Sequence, residues 1–78
     1  MLAKVYVTLK QGVLDPQGKA VGHALGTLGF KEVEDVRIGK YIEVTLPDLP
    51  KDKAEARVKE MCEGLLANTV IESYRIEL

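Results

Sequence analysis

The sequence contains few of the residues that usually stabilise or activate a small protein. Its 78 residues include one cysteine, Cys62, and one histidine, His23. A single cysteine cannot form an intramolecular disulfide, and this pair cannot complete the ligand set of a structural zinc site. A chain this short buries only about 60% of the surface that its unfolded form exposes. Association with other subunits is therefore the expected source of additional stability.

Charge of one sign and long apolar runs are also missing. Lys and Arg number 11 against 12 Asp and Glu, and the formal net charge is −1. No basic stripe could release counterions from nucleic acid, so nucleic-acid binding is not expected. No apolar run approaches the roughly 20 residues of a membrane span, and no signal-peptide pattern is present. We expect a cytoplasmic protein that does not bind membranes.

What is present is a regular alternation of strand and helix patterns. Residues 2–10 alternate between apolar and polar side chains, which predicts a half-buried strand. Asp15 can cap a following helix, and Pro16 suits its first position. Apolar residues continue at helical spacing to Leu28, and Gly29 can adopt the left-handed conformation that ends a helix.

The second half of the chain repeats this order. Residues 33–46 alternate with apolar residues at even positions, and a two-residue hairpin at Gly39 and Lys40 would mix apolar and polar residues on each face. We therefore favour one long strand bent or bulged at Gly39, with a hairpin of odd loop length as the alternative. Asp52 resembles the start of a capping box for a second helix that ends near Asn68. Residues 69–78 predict a final strand.

Together these elements predict one α+β domain over residues 1–78. Two β-α-β units with right-handed crossovers give a ferredoxin-like arrangement, in which both helices cover one face of an antiparallel sheet. The other sheet face is then open. Tyr is enriched in protein interfaces, but a solvated face would explain the same residues equally well. The candidate oligomer-interface residues on this face are Tyr6, Thr8, Tyr41 and Thr45.

Residues suited to catalysis are scarce. Cys62 lies on the apolar stripe of the second helix, where a buried structural thiol is expected rather than a nucleophile. His23 faces away from the apolar stripe of its helix and has no partner residue for acid–base chemistry or metal binding. The glycines do not form a phosphate-binding signature. No catalytic, cofactor or metal site is therefore predicted.

Several segments resemble one protein family along nearly the whole chain. The most specific are Gly-Val-Leu-Asp-Pro-Gln-Gly at residues 12–18 and Leu-Leu-Ala-Asn at residues 65–68. They are similar to the PurS family, the small subunit of phosphoribosylformylglycinamidine (FGAM) synthase. The resemblance implies a non-catalytic role in purine biosynthesis, as part of an ATP-dependent complex that uses glutamine to convert formylglycinamide ribonucleotide to its amidine.

The resemblance also implies partners. PurS dimers or higher oligomers bridge a glutaminase subunit, PurQ, and a synthetase subunit, PurL, and assist ammonia transfer, while ATP and Mg²⁺ are used by the synthetase. This chain itself would bind no cofactor. Because loops on a rigid scaffold commonly carry recognition, we expect partner contacts where the motif residues fall in loops or at the strand bend. These residues are Lys10, Gly12, Gln17, Gly18, Arg37, Gly39 and Lys40.

One alternative has the same order of elements. A regulatory module of the ACT type also follows a β-α-β-β-α-β order and binds a small ligand, such as an amino acid, near its first strand–helix loop. Residues 12–18 could form such a site.

Overall fold

The computed structural model describes residues 1–78 of the chain. The elements, in order, are β1 (Leu2–Leu9), α1 (Pro16–Thr27), β2 (Gly39–Thr45), α2 (Lys51–Met61) with a π-helical turn (Cys62–Leu66), and β3 (Glu72–Glu77). The sheet order is β2-β1-β3, and β1 is antiparallel to both neighbours. The α+β class and the antiparallel sheet are therefore confirmed.

The hydrophobic core lies between the central strand and α2. Ala3, Val5 and Val7 point to one face of β1 and are almost completely buried against Val58 and Cys62. The period-two alternation decides which side chains of β1 reach this core. Apolar residues of β2 and β3 on the same face of the sheet extend the core at both edges, namely Ile42, Val44, Tyr74 and Ile76.

The prediction of one long strand over residues 33–46 is wrong in its first half. The strand begins at Gly39, and residues 33–38 form no strand. Gly39 pairs with Thr8, so β1 has only one residue left beyond this point before its end at Leu9. Residues 33–38, called the linker below, therefore have no β1 partner and pack against α1 instead.

The two ends of the second helix also differ from prediction. The helix begins after Pro50, and Asp52 makes no capping hydrogen bond. Its last turn widens into the π-helical turn, which shifts the following side chains relative to the apolar stripe. Leu65 is consequently 85% exposed, while Ala67 enters the core. Asn68 does not adopt a left-handed conformation, and it ends this region by accepting backbone hydrogen bonds from Ile71 and Glu72.

Helix α1 forms as predicted but does not join the core. Asp15 caps its start, and Gly29 with φ of 102° follows its end. The Phe30 N–H donates to the Leu25 carbonyl and the Gly29 N–H to the Gly26 carbonyl, the two bonds of a Schellman motif. No residue of α1 belongs to the core cluster. The prediction that both helices pack on the sheet is thus met by α2, whereas α1 packs against the linker.

The resulting molecule is elongated, with extents of 48 × 24 × 14 Å. Its radius of gyration is 15.8 Å, against about 11–12 Å for a compact domain of this length. No helix in the structure has the length and apolarity needed to cross a membrane.

Candidate functional site

The predicted partner-binding residues lie at one end of the sheet, where β1 ends and β2 and β3 begin. Lys10 directly follows β1, and Gly39 and Lys40 start β2. Gln17 and Gly18 lie in the first turn of α1, and Gly12, with φ of 84°, lies in the turn that connects β1 to α1. The fold therefore brings together motif residues that are separated by up to 30 positions in sequence.

Asp15 is the centre of this cluster. Its Oδ1 accepts a hydrogen bond from the Gly18 N–H at 2.9 Å, and its Oδ2 accepts one from the Ile38 N–H at 2.8 Å. One carboxylate thus joins the start of α1 to the end of the linker. The hydrogen bonds from Ile38 and Gly18 lower the pKa of Asp15, and the nearby charge of Arg37 acts in the same direction.

Close backbone approach explains two of the predicted glycines. A Cβ on Gly18 would lie closer than 3.0 Å to the Val36 carbonyl oxygen, and a Cβ on Gly39 would lie equally close to the Val7 carbonyl oxygen. These contacts allow α1 to meet the linker and β2 to meet β1. Both glycines therefore shape the site rather than present a side chain to a partner.

Arg37 ties the linker to the end of β1. Its Nη2 donates to the Leu9 carbonyl oxygen at 3.0 Å and to the Lys10 carbonyl oxygen at 3.1 Å. These carbonyls lie where β1 leaves the sheet, so the guanidinium satisfies backbone acceptors at a strand end. The rest of the guanidinium faces solvent, because Arg37 is exposed.

A cleft of about 230 Å³ opens between the first turn of α1 and the sheet. Gln17 lies on the α1 side, and Lys40 and Glu72 lie on the sheet side, with 3.6 Å between Lys40 Nζ and Glu72 Oε2. This ion pair crosses over the end of β1, because β2 and β3 flank that strand. Lys10, Gln17 and Lys40 are all exposed.

The chemistry available at this end is recognition. The exposed groups around the cleft offer cationic and amide donors, and Asp15 is already occupied by two backbone N–H groups. No group of three His, Cys, Asp or Glu side chains in the chain is placed to hold a metal ion. His23 is exposed, and Cys62 is fully buried, where desolvation raises the pKa of its thiol. The arrangement suits binding of a protein surface.

The open sheet face carries the predicted oligomer-interface residues. The rings of Tyr6 and Tyr41 lie 5.1 Å apart between centroids, and the Arg75 guanidinium lies 4.2 Å from the centroid of the Tyr6 ring. Thr8 and Thr45 lie on the same face at opposite ends. Partial desolvation and the hydrogen bond to Glu43 raise the pKa of Tyr41 to about 12. The face thus presents a cation–aromatic row between polar ends.

Sequence reasoning missed two features of the site. It assigned only the capping bond to Asp15, because nothing in the linker sequence indicates that the Ile38 N–H would turn toward that carboxylate. It also missed Glu72, which pairs with Lys40 and whose Oε1 accepts from the Asn68 N–H at 2.7 Å. A signal for Glu72 existed, since it lies on the same face of β3 as the half-buried Tyr74 and Ile76.

Known proteins resemble this chain over nearly its whole length. Residues 2–78 match the family model described as PurS: Phosphoribosylformylglycinamidine (FGAM) synthase. The phosphoribosylformylglycinamidine synthase subunit PurS of Bacillus subtilis is 61% identical over 75 residues, covering 96% of this chain and 88% of that relative. The crystal structure of Methanocaldococcus jannaschii PurS superposes with a TM-score of 0.88 at 41% identity, covering 97% of this chain and 92% of that one. A chain of PurLQS from Thermotoga maritima gives a TM-score of 0.85 at 33% identity, covering 99% and 96%.

Proposed function

Because the chain belongs to the PurS family of phosphoribosylformylglycinamidine synthase, we propose that it is the small subunit of that synthase and works in purine biosynthesis. The observation that carries this proposal is its likeness, along 99% of its length, to a chain of the PurLQS assembly. The ACT-like alternative is not favoured, since the family match spans residues 2–78.

In this proposal the chain does no chemistry itself. It bridges the synthetase subunit, PurL, and the glutaminase subunit, PurQ, and it assists the passage of ammonia between them. ATP and Mg²⁺ are bound by the synthetase subunit, and this chain binds neither. The complex as a whole is an ATP-dependent glutamine amidotransferase that works in the cytoplasm. The exposed donors around the cleft, led by Lys10, Gln17 and Lys40, support a bridging role for this end of the molecule.

We further propose that the chain forms a homodimer or higher oligomer. Its accessible surface is 5765 Å², whereas a compact monomer of the same mass would expose about 4,700 Å². The excess is comparable to the roughly 800 Å² that each partner buries in a standard protein interface. The open sheet face, with Tyr6 and Tyr41, is the surface that we assign to this contact.

The decisive experiment reconstitutes the complex. The chain is co-expressed with a PurL and a PurQ subunit, and the products are separated by size-exclusion chromatography and assayed for amidine formation. We expect co-elution, and we expect the glutamine-dependent reaction to need this chain more than the reaction with free ammonia does. Equal loss of both reactions without the chain would argue against a role in ammonia transfer. Full glutamine-dependent activity without it would reject the proposal.

Charge reversal tests which surface binds the large subunits. The Lys10→Glu and Lys40→Glu double variant should weaken assembly while the domain stays folded, because both side chains are exposed. The matched control is Lys51→Glu with Lys53→Glu at the start of α2, near the opposite end of β3. If the first pair co-purifies as well as the control pair, the cleft end is not the contact.

A further inference from the structure

We propose that Asp15 is a positioning residue that fixes the direction of α1 relative to the sheet, and that assembly of the synthase depends on this fixed direction. The claim that assembly depends on the direction of α1 rests on the function proposed above. The claim that Asp15 fixes this direction does not. The structure assigns the role to the carboxylate because its two oxygens bind two different parts of the chain, Gly18 and Ile38.

The hydrophobic core cannot perform this role. The core cluster is formed by β1, α2 and the turn after it, with support from β2 and β3, and α1 contributes nothing to it. Apolar side chains that directly follow α1 are exposed, with Leu28 at 72% and Phe30 at 48%. The direction of α1 is therefore set by local contacts at its first turns.

Those contacts join α1 to the linker. A glycine at position 18 lets the helix approach the Val36 carbonyl, and Gly22 lies over the Val36 side chain, whose Cγ2 would be 3.5 Å from a Cβ at that glycine. Asp15 adds the only side-chain hydrogen bond that joins the start of α1 to the linker. The linker then continues directly into β2, and Arg37 fastens it to the end of β1.

The chemistry of the side chain matters as well as its shape. A carboxylate offers two acceptors, so it can satisfy both N–H groups at once. Asparagine offers one carbonyl oxygen and two N–H donors. Whichever way the amide turns, it places a donor against either Gly18 N–H or Ile38 N–H. Asparagine is a good helix cap, so the expected result is a capped α1 that has lost its bond to Ile38.

The test compares Asp15→Asn with Asp52→Asn, which removes the same charge from the first turn of α2, where no capping bond exists. Nitroxide labels on Thr27→Cys and Lys59→Cys, both exposed positions, report the distance between the end of α1 and α2, which packs on the sheet. Cys62 is fully buried and should take up no label. Samples are diluted with unlabelled subunits so that only distances within one chain are measured. Lys51→Cys with Lys59→Cys serves as the control pair within α2.

In Asp15→Asn we expect a broadened distance distribution for the first pair only, with the helix signal in circular dichroism unchanged. Exchange of the Ile38 amide should accelerate about tenfold, the effect of losing one hydrogen bond. Binding to the PurL and PurQ subunits should weaken in proportion to the fraction of molecules in which α1 no longer has its wild-type direction. A narrow distribution and a protected Ile38 amide would overturn the positioning role. Broadening without weaker binding would overturn its link to assembly.

Two further outcomes are distinguishable. If neither the wild-type chain nor Asp52→Asn binds the large subunits, the proposed function fails, and the distance measurement alone decides the role of Asp15. If Asp15→Asn does not fold, Asp15→Ser, which can also cap α1 but is too short to reach Ile38, replaces it. Failure of both variants to fold where Asp52→Asn folds would show that Asp15 supports the whole domain, and the positioning role would be rejected.

Discussion

The contact between α1 and the linker can be tested by adding one methyl group. Gly18→Ala places a Cβ closer than 3.0 Å to the Val36 carbonyl oxygen and 2.7 Å from Asp15 Oδ2. Gly18 is buried, and its N–H donates to Asp15. The same substitution at Gly26, near the other end of α1, meets no atom within 4 Å. The two variants therefore differ in local space while sharing the same chemical change.

Two effects of opposite sign decide the outcome. Alanine is favoured over glycine inside a helix by up to about 1 kcal/mol, and this gain is available to both variants. At position 18 the methyl group must displace backbone, and overpacking of this kind costs about 1–3 kcal/mol. We expect Gly18→Ala to be destabilised by about 1–2 kcal/mol, which lowers the melting temperature by about 4–16 °C in a domain of this size. Gly26→Ala should be slightly stabilised.

The assay is thermal unfolding followed by circular dichroism, with urea titration as a second measure of the free energy of unfolding. All samples are compared at one subunit concentration, because association makes the apparent stability of the folded chain depend on subunit concentration. A Gly18→Ala variant as stable as Gly26→Ala would refute the close approach of α1 to Val36. A loss in Gly26→Ala equal to that in Gly18→Ala would show that the cost is not local to the linker contact.

Further predictions concern the core, the acid dependence of stability and the thiol. Val58→Ala should lose about 2–3 kcal/mol in urea unfolding through two buried methyl groups and the cavity they leave, whereas Val70→Ala, at a position 81% exposed, should change little. The lowered pKa of Asp15 means that its contribution is present above the unfolded pKa and is lost as pH falls through the folded one. The stability difference between wild type and Asp15→Asn should therefore shrink as the pH falls from 6 to 3. Cys62 should react with a thiol reagent only at the rate at which the folded domain opens and exposes the thiol. Rapid modification in native buffer would contradict its burial.

Most of the fold could be predicted from the alternation of apolar and polar residues and from the helix-capping residues. Ala3, Val5 and Val7 of β1 reach the core and Tyr74 and Ile76 of β3 pack against it, as the alternation predicts. The signals at Asp15 and Gly29 located α1 because caps act on neighbouring residues and need no distant contact. The same local logic placed the predicted partner-binding residues in turns and at element ends. Geometry set by nearby residues is readable from sequence.

Features that depend on residues distant in the sequence could not be predicted. The linker alternates like a strand, yet β1 ends before it can pair, and strand length is a property of the neighbouring strand. The π-helical turn also could not be predicted. It moves Leu65, which lies on the predicted apolar stripe, out of the core, and it brings Ala67 into the core instead. For the site, the positions of Lys10, Gln17 and Lys40 next to the ends of β1, α1 and β2 could be predicted from the order of elements, while the second hydrogen bond of Asp15 depends on the fold itself.

The elongated shape of the molecule follows from the separation of its apolar contacts from the contacts that hold α1. The apolar contacts are concentrated between the sheet and α2, and the polar contacts at the cleft end hold α1. A helix held by hydrogen bonds and close backbone approach keeps a defined direction, while the apolar residues that follow it, Leu28 and Phe30, stay accessible. Burying such side chains in a larger assembly gains hydrophobic free energy that the monomer does not use. Association can therefore bury apolar surface that the monomer leaves exposed, and the carboxylate of Asp15 determines the direction in which α1 presents that surface to a partner.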